Sequence, residues 1–235
     1  MLATQIPSSA EYPTAVLFQD ILEGLQKDFY YHLRTPISEK QFREIVNLLG
    51  TVIRQEDVRL HASTRLLHQP EALRYHTDQP YVDIIGWQCI VPDPEGPTLL
   101  LNMADLLQSF DPKEISLFQE IIVNYPNPDN LADLHPEPLL TIKDGYLRLF
   151  YISFRGSKKM APEALALWQR FNDYVKQRAK DKEFGVILKK GECLFLHNKT
   201  FLHARPAISK ESKRFLNRIW IQSSLVKGVK AKFLA

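Results

Sequence analysis

The chain has 235 residues, 45% of them hydrophobic and 24% charged, an ordinary balance for a globular protein with one sizeable core. Its formal net charge is only +3, with acidic and basic residues intermixed. That argues against a nucleic-acid or membrane-surface binder, and Lys227, Lys230 and Lys232 read as a solvated tail.

In chain order, the opening MLATQIPSSAEYPTA lacks the basic start and unbroken apolar run of a signal peptide, and residues 1–15 are expected to be flexible. AVLFQDILEGLQKDFYYHL has helical periodicity and would carry His32 on an amphipathic helix. SEKQFREIVNLLG is a second helix: Ser38 and Gln41 have capping-box spacing, Phe42, Ile45, Val46 and Leu49 form an apolar stripe, and Gly50 stops it. His61 and His68 follow in strand or loop.

VDIIGWQCIV is rich in β-branched and aromatic residues and reads as a strand. Pro92, Pro94 and Gly96 break the chain before a short strand, TLLLNM. DPKEISLFQEIIVNY is a helix with Asp111 as N-cap and Pro112 at its first position, and His135 falls in an exposed loop, LHPEP. PLLTIKDGYLRLFYISF is a hairpin around Asp144-Gly145, and APEALALWQRFNDYVKQRAK a long amphipathic helix.

GVILKKGECLFLHN and RFLNRIWIQSS are the strongest strand candidates of the last third. No apolar run reaches the roughly 18 residues of a membrane span. Cys89 and Cys193 sit inside apolar runs, which suits buried free thiols and a cytoplasmic location. With no repeat or linker, residues 1–235 read as one domain, an α+β protein built round a β-sandwich or barrel.

Chemistry enters at YHTDQPY. In an extended segment His76 and Asp78 point to the same side, so imidazole and carboxylate could grip one divalent ion. An HxD pair occurs often by chance, and alone it reads equally as a solvent-facing histidine beside a turn aspartate. A third ligand would come from GECLFLHNKTFLHARPAI, where His197 and His203 compete. Downstream, Arg214, Leu216, Arg218 and Trp220 would share one face of a strand. Two inward arginines call for an anionic partner, either a bound carboxylate or acidic side chains from neighbouring strands.

From about Ser38 to Gln222 the sequence resembles the taurine dioxygenase and clavaminate synthase-like branch of the Fe(II)/2-oxoglutarate-dependent oxygenases. YHTDQPY is similar to that family's HxD segment, PEGPTLLLNMADLL to its glycine-threonine strand, and KKGECLFLHNKTFLHARPAI to its GDxxxxDNxxxxHxR region. KRFLNRIWI resembles its closing arginine strand, with arginines at +11 and +15 from His203. A histidine, His197, stands where the family more often has aspartate.

The resemblance implies a double-stranded β-helix core, a jelly-roll or cupin-like β-sandwich flanked by helices. It implies His76, Asp78 and His203 as catalytic iron ligands, with His197 supporting or packing. Arg214 and Thr98 would hold the distal carboxylate of the cosubstrate 2-oxoglutarate, and Arg218 would lie near its other carboxylate or the substrate. The implied reaction couples O2 and oxidative decarboxylation of 2-oxoglutarate, giving succinate and CO2, to hydroxylation of a substrate; desaturation or cyclisation starts from the same chemistry. Gln79, Tyr81, Arg155 and Arg218 are the substrate-binding candidates, beside Trp87, and two pocket arginines would favour a small molecule bearing an acidic group. Two rivals use the same residues differently: a zinc-dependent hydrolase or lyase, and a non-catalytic β-barrel binding module.

Overall fold

Along the strands, apolar side chains alternate in direction, and this alternation sorts the core into layers. The computed structural model describes residues 12–63, 65–127, 129–153 and 160–232. It opens with α1 (Thr14–Lys27), β1 (Tyr30–Leu33), α2 (Glu39–Leu49), β2 (Thr51–Val58), β3 (Leu73–His76), β4 (Ile84–Val91) and β5 (Thr98–Asn102). The middle holds α3 (Ala104–Ser109), α4 (Pro112–Glu120), β6 (Ile122–Asn127), β7 (Asn130–Pro138), β8 (Leu140–Lys143), β9 (Tyr146–Leu149) and α5 (Pro162–Lys182). The chain closes with β10 (Phe184–Val186), β11 (Cys193–His197), β12 (Phe201–Arg205), β13 (Phe215–Gln222) and β14 (Val229–Lys230).

Two antiparallel sheets form the centre, five strands in the order β1-β11-β4-β13-β2 and four in the order β10-β5-β12-β3. Ile85, Trp87, Leu194, Leu196, Leu216 and Trp220 of the first sheet meet Leu100, Val186 and Phe201 of the second. The alternate residues Ile84, Phe195, Ile219 and Ile221 face outward, under the stripe Phe42, Ile45, Val46 and Leu49 of α2 and Leu17, Ile21 and Leu25 of α1. On the opposite side Leu101 and Leu202 pack against α3, α4 and α5. Each such buried aliphatic or aromatic side chain contributes roughly 1.5–3 kcal/mol. This helix-flanked sandwich is the jelly roll that the resemblance implies.

The predicted helix caps form, with one change. Ser38 Oγ accepts from the Gln41 N–H at 3.2 Å, but the Gln41 side chain donates to the Tyr12 carbonyl instead of closing a capping box. Asp111 and Glu114 do form a reciprocal box at the start of α4. A Cβ on Gly50 would stand 2.2 Å from the Gln222 carbonyl oxygen, so only glycine lets α2 end this close to β13. Asp144 and Gly145, with φ of 52° and 80°, make the β8–β9 hairpin turn.

Four expectations are corrected. The first helix stops at Lys27, and Tyr30–Leu33 pairs with β11, so His32 sits on a strand with its Nε2 3.0 Å from Glu192 Oε2. Phe29, at φ 63°, turns the chain, and the aromatic pair after it favours a strand. DPKEISLFQEIIVNY is helical only to Glu120; its β-branched end becomes β6. His135 lies in β7 against the Tyr125 ring, not in a loop. GVILKKGECLFLHN splits at Gly191 (φ 82°) into β10 and β11, which belong to different sheets. From Tyr12 onward the chain is already held, by Gln41 and then by α1. Among the described residues no helix is long and apolar enough to cross a membrane.

Candidate metal centre

Antiparallel pairing of β12 with β3 sets His203 opposite His76, and the chain then bends so that Asp78 comes round to them. The three side chains each offer one ligand atom within 4.8 Å of the others. Nε2 of His76 and Nε2 of His203 both stand 3.7 Å from Asp78 Oδ1, too far for hydrogen bonds and spaced as ligands around an ion. The imidazoles lie 4.3 Å apart between ring centres, and Trp87 closes over His203 edge-on at 5.4 Å.

Protonation favours metal binding. His76 Nδ1 sits 2.7 Å from the Arg74 carbonyl, which makes Nδ1 the protonated nitrogen and leaves the Nε2 lone pair free. Burial, then the neighbouring His76, pushes His203 down to about 3, so it is a neutral imidazole. Burial would raise Asp78, but Arg218, the two imidazoles and the Trp220 N–H outweigh it and hold the carboxyl below its ordinary range. Trp220 Nε1 donates to Oδ2 at 2.6 Å and Arg218 Nη1 at 3.1 Å, which turns Oδ1 toward the histidines. Two imidazoles presenting Nε2 and an ionised carboxylate suit a divalent first-row ion.

The loop behind Asp78 is clamped by the β11–β12 turn. Asn198 Oδ1 accepts from the Asp78 N–H at 2.8 Å, while its Nδ2 donates to the carbonyls of Gln79 and Val82. Thr77 points away, bonded to the backbone of Tyr151. His197 also points away from the ligand cluster, its Nδ1 3.0 Å from Thr200 Oγ1.

Beside the ligands a narrow cleft is lined by His76, Trp87, Thr98, His203, Arg205 and Arg214, with Val58, Leu67 and Leu73 as apolar walls. Arg214 Nη2 donates to Thr98 Oγ1 at 3.1 Å, and among the described residues it meets no acidic side chain within ion-pair distance. Burial, then the Arg205 charge, lowers it to about 10, so it stays cationic at neutral pH. The turn at Gly96 packs on its stem, a Cβ there lying 3.0 Å from Arg214 Cδ.

Arg218, four residues on, lines the same cleft but has different partners. Its Nη1 bonds Asp78 and its Nη2 bonds Glu56 Oε2 at 2.6 Å, leaving Nε buried and without a partner among the described residues. Glu56 also receives both Arg65 Nη groups, and with Arg218 they hold its carboxyl below normal despite burial. Gln79 donates to the Pro126 carbonyl and leaves Oε1 without a partner among the described residues, and Tyr81 lies half-exposed against the edge of Trp220. Arg155 lies outside the described residues.

Sequence reasoning missed Glu56, Arg65 and Arg205. Glu56 pairs across β2–β13 with Arg218, a register that one sequence does not reveal. Arg205 did carry a signal, lying two residues beyond His203 on the same strand. Its Nη2 donates to the carbonyls of Gln69 and Glu71, and its Nη1 is buried without a partner among the described residues.

No family model matches the sequence, and no curated protein matches it in sequence. Solved structures do match in shape. An asparagine oxygenase in complex with Fe(II), 2S,3S-3-hydroxyasparagine and succinate superposes with a TM-score of 0.69 at 14% identity, covering 90% of this chain and 80% of its own. The non-haem iron oxygenase OrfP, in complex with Fe and alpha-ketoglutaric acid, gives 0.69 at 18% identity with the same coverage. OrfP with Fe, succinate and (3R,4R)-dihydroxy-L-Arg gives 0.66 at 16%, covering 92% and 85%. The chain therefore shares the fold of these non-haem iron oxygenases.

Proposed function

We propose that this protein is a non-haem Fe(II)- and 2-oxoglutarate-dependent dioxygenase that hydroxylates an unactivated C–H bond of a small, amino-acid-like metabolite. The observation that carries the reading is the convergence of His76, Asp78 and His203 beside a cleft in which buried Arg214 has no acidic partner among the described residues. A buried guanidinium in that position calls for a bound carboxylate. The likeness in fold to iron oxygenases that were solved with 2-oxo acid or succinate supports it.

Iron, when bound, supplies open coordination positions and the redox chemistry that couples decarboxylation of 2-oxoglutarate by O2 to substrate oxidation. His76 Nε2, His203 Nε2 and Asp78 Oδ1 would hold it. Trp220 and Arg218 are positioning residues that keep Oδ1 inward. Arg214 and Thr98 would take the distal carboxylate of 2-oxoglutarate, with Arg205 adding positive charge to the same cleft. Trp87, Val58 and Leu73 keep water off the reacting side.

An acidic group on the substrate loses one of its supports, because Asp78 and Glu56 already offset the Arg218 charge. Gln79 Oε1 and Tyr81 at the loop suit a polar or zwitterionic molecule, in line with the hydroxylated asparagine and arginine of the fold neighbours. A zinc hydrolase on the same ligands leaves the Arg214–Thr98 pair unused, and a silent binding barrel leaves the three-ligand cluster unused. Two buried free thiols suit a reducing compartment.

Adding Fe(II) and then 2-oxoglutarate without oxygen should give the weak visible charge-transfer band of a chelated complex, and 2-oxoglutarate should raise the melting temperature. Neither effect appearing would end the oxygenase reading. His203→Ala should abolish Fe(II) binding while His197→Ala retains it, and the reverse pattern would reassign the third ligand.

A further inference from the structure

A second, larger cavity of about 570 Å³ lies on the other side of the Asp78–Asp83 loop, and no part of the proposed reaction uses it. Its walls come from the end of α2, the end of β13 with the following Ser223–Gly228 segment, the β8–β9 hairpin and the β11–β12 turn. Four cationic side chains line it, Lys143, Arg148, Lys199 and Lys227, against two acidic ones, Asp83 and Asp144.

The charges are unevenly matched. Arg148 Nη2 donates to Asp83 Oδ1, while Asp83 Oδ2 is taken by the Ser223 N–H at 3.0 Å. Lys199 is only 3% exposed, and its ammonium donates to the Pro80 carbonyl. Among the described residues no carboxylate lies within ion-pair distance of it, which leaves two of its three N–H groups unassigned. The next polar side chain in the wall, His197, is fully buried and neutral and offsets none of this charge. Lys143 and Lys227 are exposed at the rim, the latter over the Tyr146 ring at 5.6 Å. Burial, then the Arg148 charge, lowers Lys199 to about 7 against the pull of Asp83 and Glu137, a cost that a bound anion would relieve, and one guanidinium and two further lysines border the same space.

We propose that this cavity is a binding site for a compact oxyanion, the phosphate or carboxylate group of a small metabolite, separate from the metal centre. Lys199 and Arg148 form its floor, and Lys143 and Lys227 its electrostatic mouth. The site is independent of the oxygenase reading, since none of its lining side chains is a proposed iron or cosubstrate ligand.

The test titrates the full-length protein with inorganic phosphate, and separately with acetate, against sodium chloride at matched ionic strength, by calorimetry and thermal shift. Saturable binding of phosphate assigns a phosphate group, and saturable binding of acetate alone assigns a carboxylate. The Lys143→Ala/Lys227→Ala double variant, which alters only exposed side chains, should weaken binding about fivefold or more. His197→Asp, which places a carboxylate in the wall, should abolish it in protein whose circular dichroism is unchanged. No saturable binding of either anion would overturn the proposal, as would equal affinity in the double variant. An affinity that falls in Arg214→Ala and not in the double variant would place the anion in the metal-site cleft and likewise overturn it.

Discussion

Arg214, one residue before β13, and Arg218, on the strand itself, both border the cleft beside the metal centre, and the two positions are built differently. At the Arg218 end, Asp78, Glu56 and Arg65 form a network in which each acid meets more than one donor. At the Arg214 end, the guanidinium has a threonine hydroxyl and no acid among the described residues. Both are buried, Arg218 at 5% and Arg214 at 8% relative exposure, so the difference lies in partners and not in solvent. Arg218 completes the protein. Arg214 is left for the carboxylate that the proposed function assigns to it.

The largest effect should come from breaking the satisfied end. Arg218→Met would leave Asp78 with only the Trp220 N–H and Glu56 with only Arg65 as donors, and urea denaturation should show a loss of about 3–5 kcal/mol. Arg214→Ala should behave in the opposite way. The urea midpoint should hold or rise, while the 2-oxoglutarate dissociation constant rises roughly 10- to 150-fold, the weight of a charged hydrogen-bonded contact. Equal destabilisation by the two substitutions would erase the distinction between the two ends.

The two histidines of the β11–β12 segment allow a parallel test. Burial first, then the Lys199 and Arg148 charges, push His197 down to about 3, whereas in the unfolded chain it titrates near 6.5. Between those values the unfolded state binds the extra proton, so His197 contributes stability that is full above pH 6.5 and lost as pH falls toward about 3. His197→Asn should flatten that part of the profile of melting temperature against pH, and an unaltered slope would mean that the imidazole is not buried neutral. The smallest effect belongs to Thr98→Val, which should weaken 2-oxoglutarate binding by only about 0.5–1.5 kcal/mol.

Much of this was legible in the chain. Helix α2, the Asp111 cap of α4, the Asp144-Gly145 hairpin and the inward face of Leu216, Arg218 and Trp220 all follow from local periodicity and capping, which act over a few residues, whereas Arg214 lies one residue before the strand. The HxD pair was readable for the same reason, whereas the offsets from His203 to the arginines carried meaning only through the family resemblance. Where local signals ran together, reading failed: a helical stretch continued into Tyr30–Leu33 and Ile122–Asn127, whose strand pairing comes from distant segments.

By itself, then, the sequence determined the types of the main elements, their inward faces and a short set of candidate ligands. Only the tertiary structure decided which histidine joins Asp78, that Arg218 is spent on Glu56 and Asp78 while Arg214 is not, and that Lys199 borders a cavity. The reason is physical. Periodicity fixes which way a side chain points from its own strand, but strand register and loop closure decide which opposing side chain it meets, and at buried charges the partner sets the role.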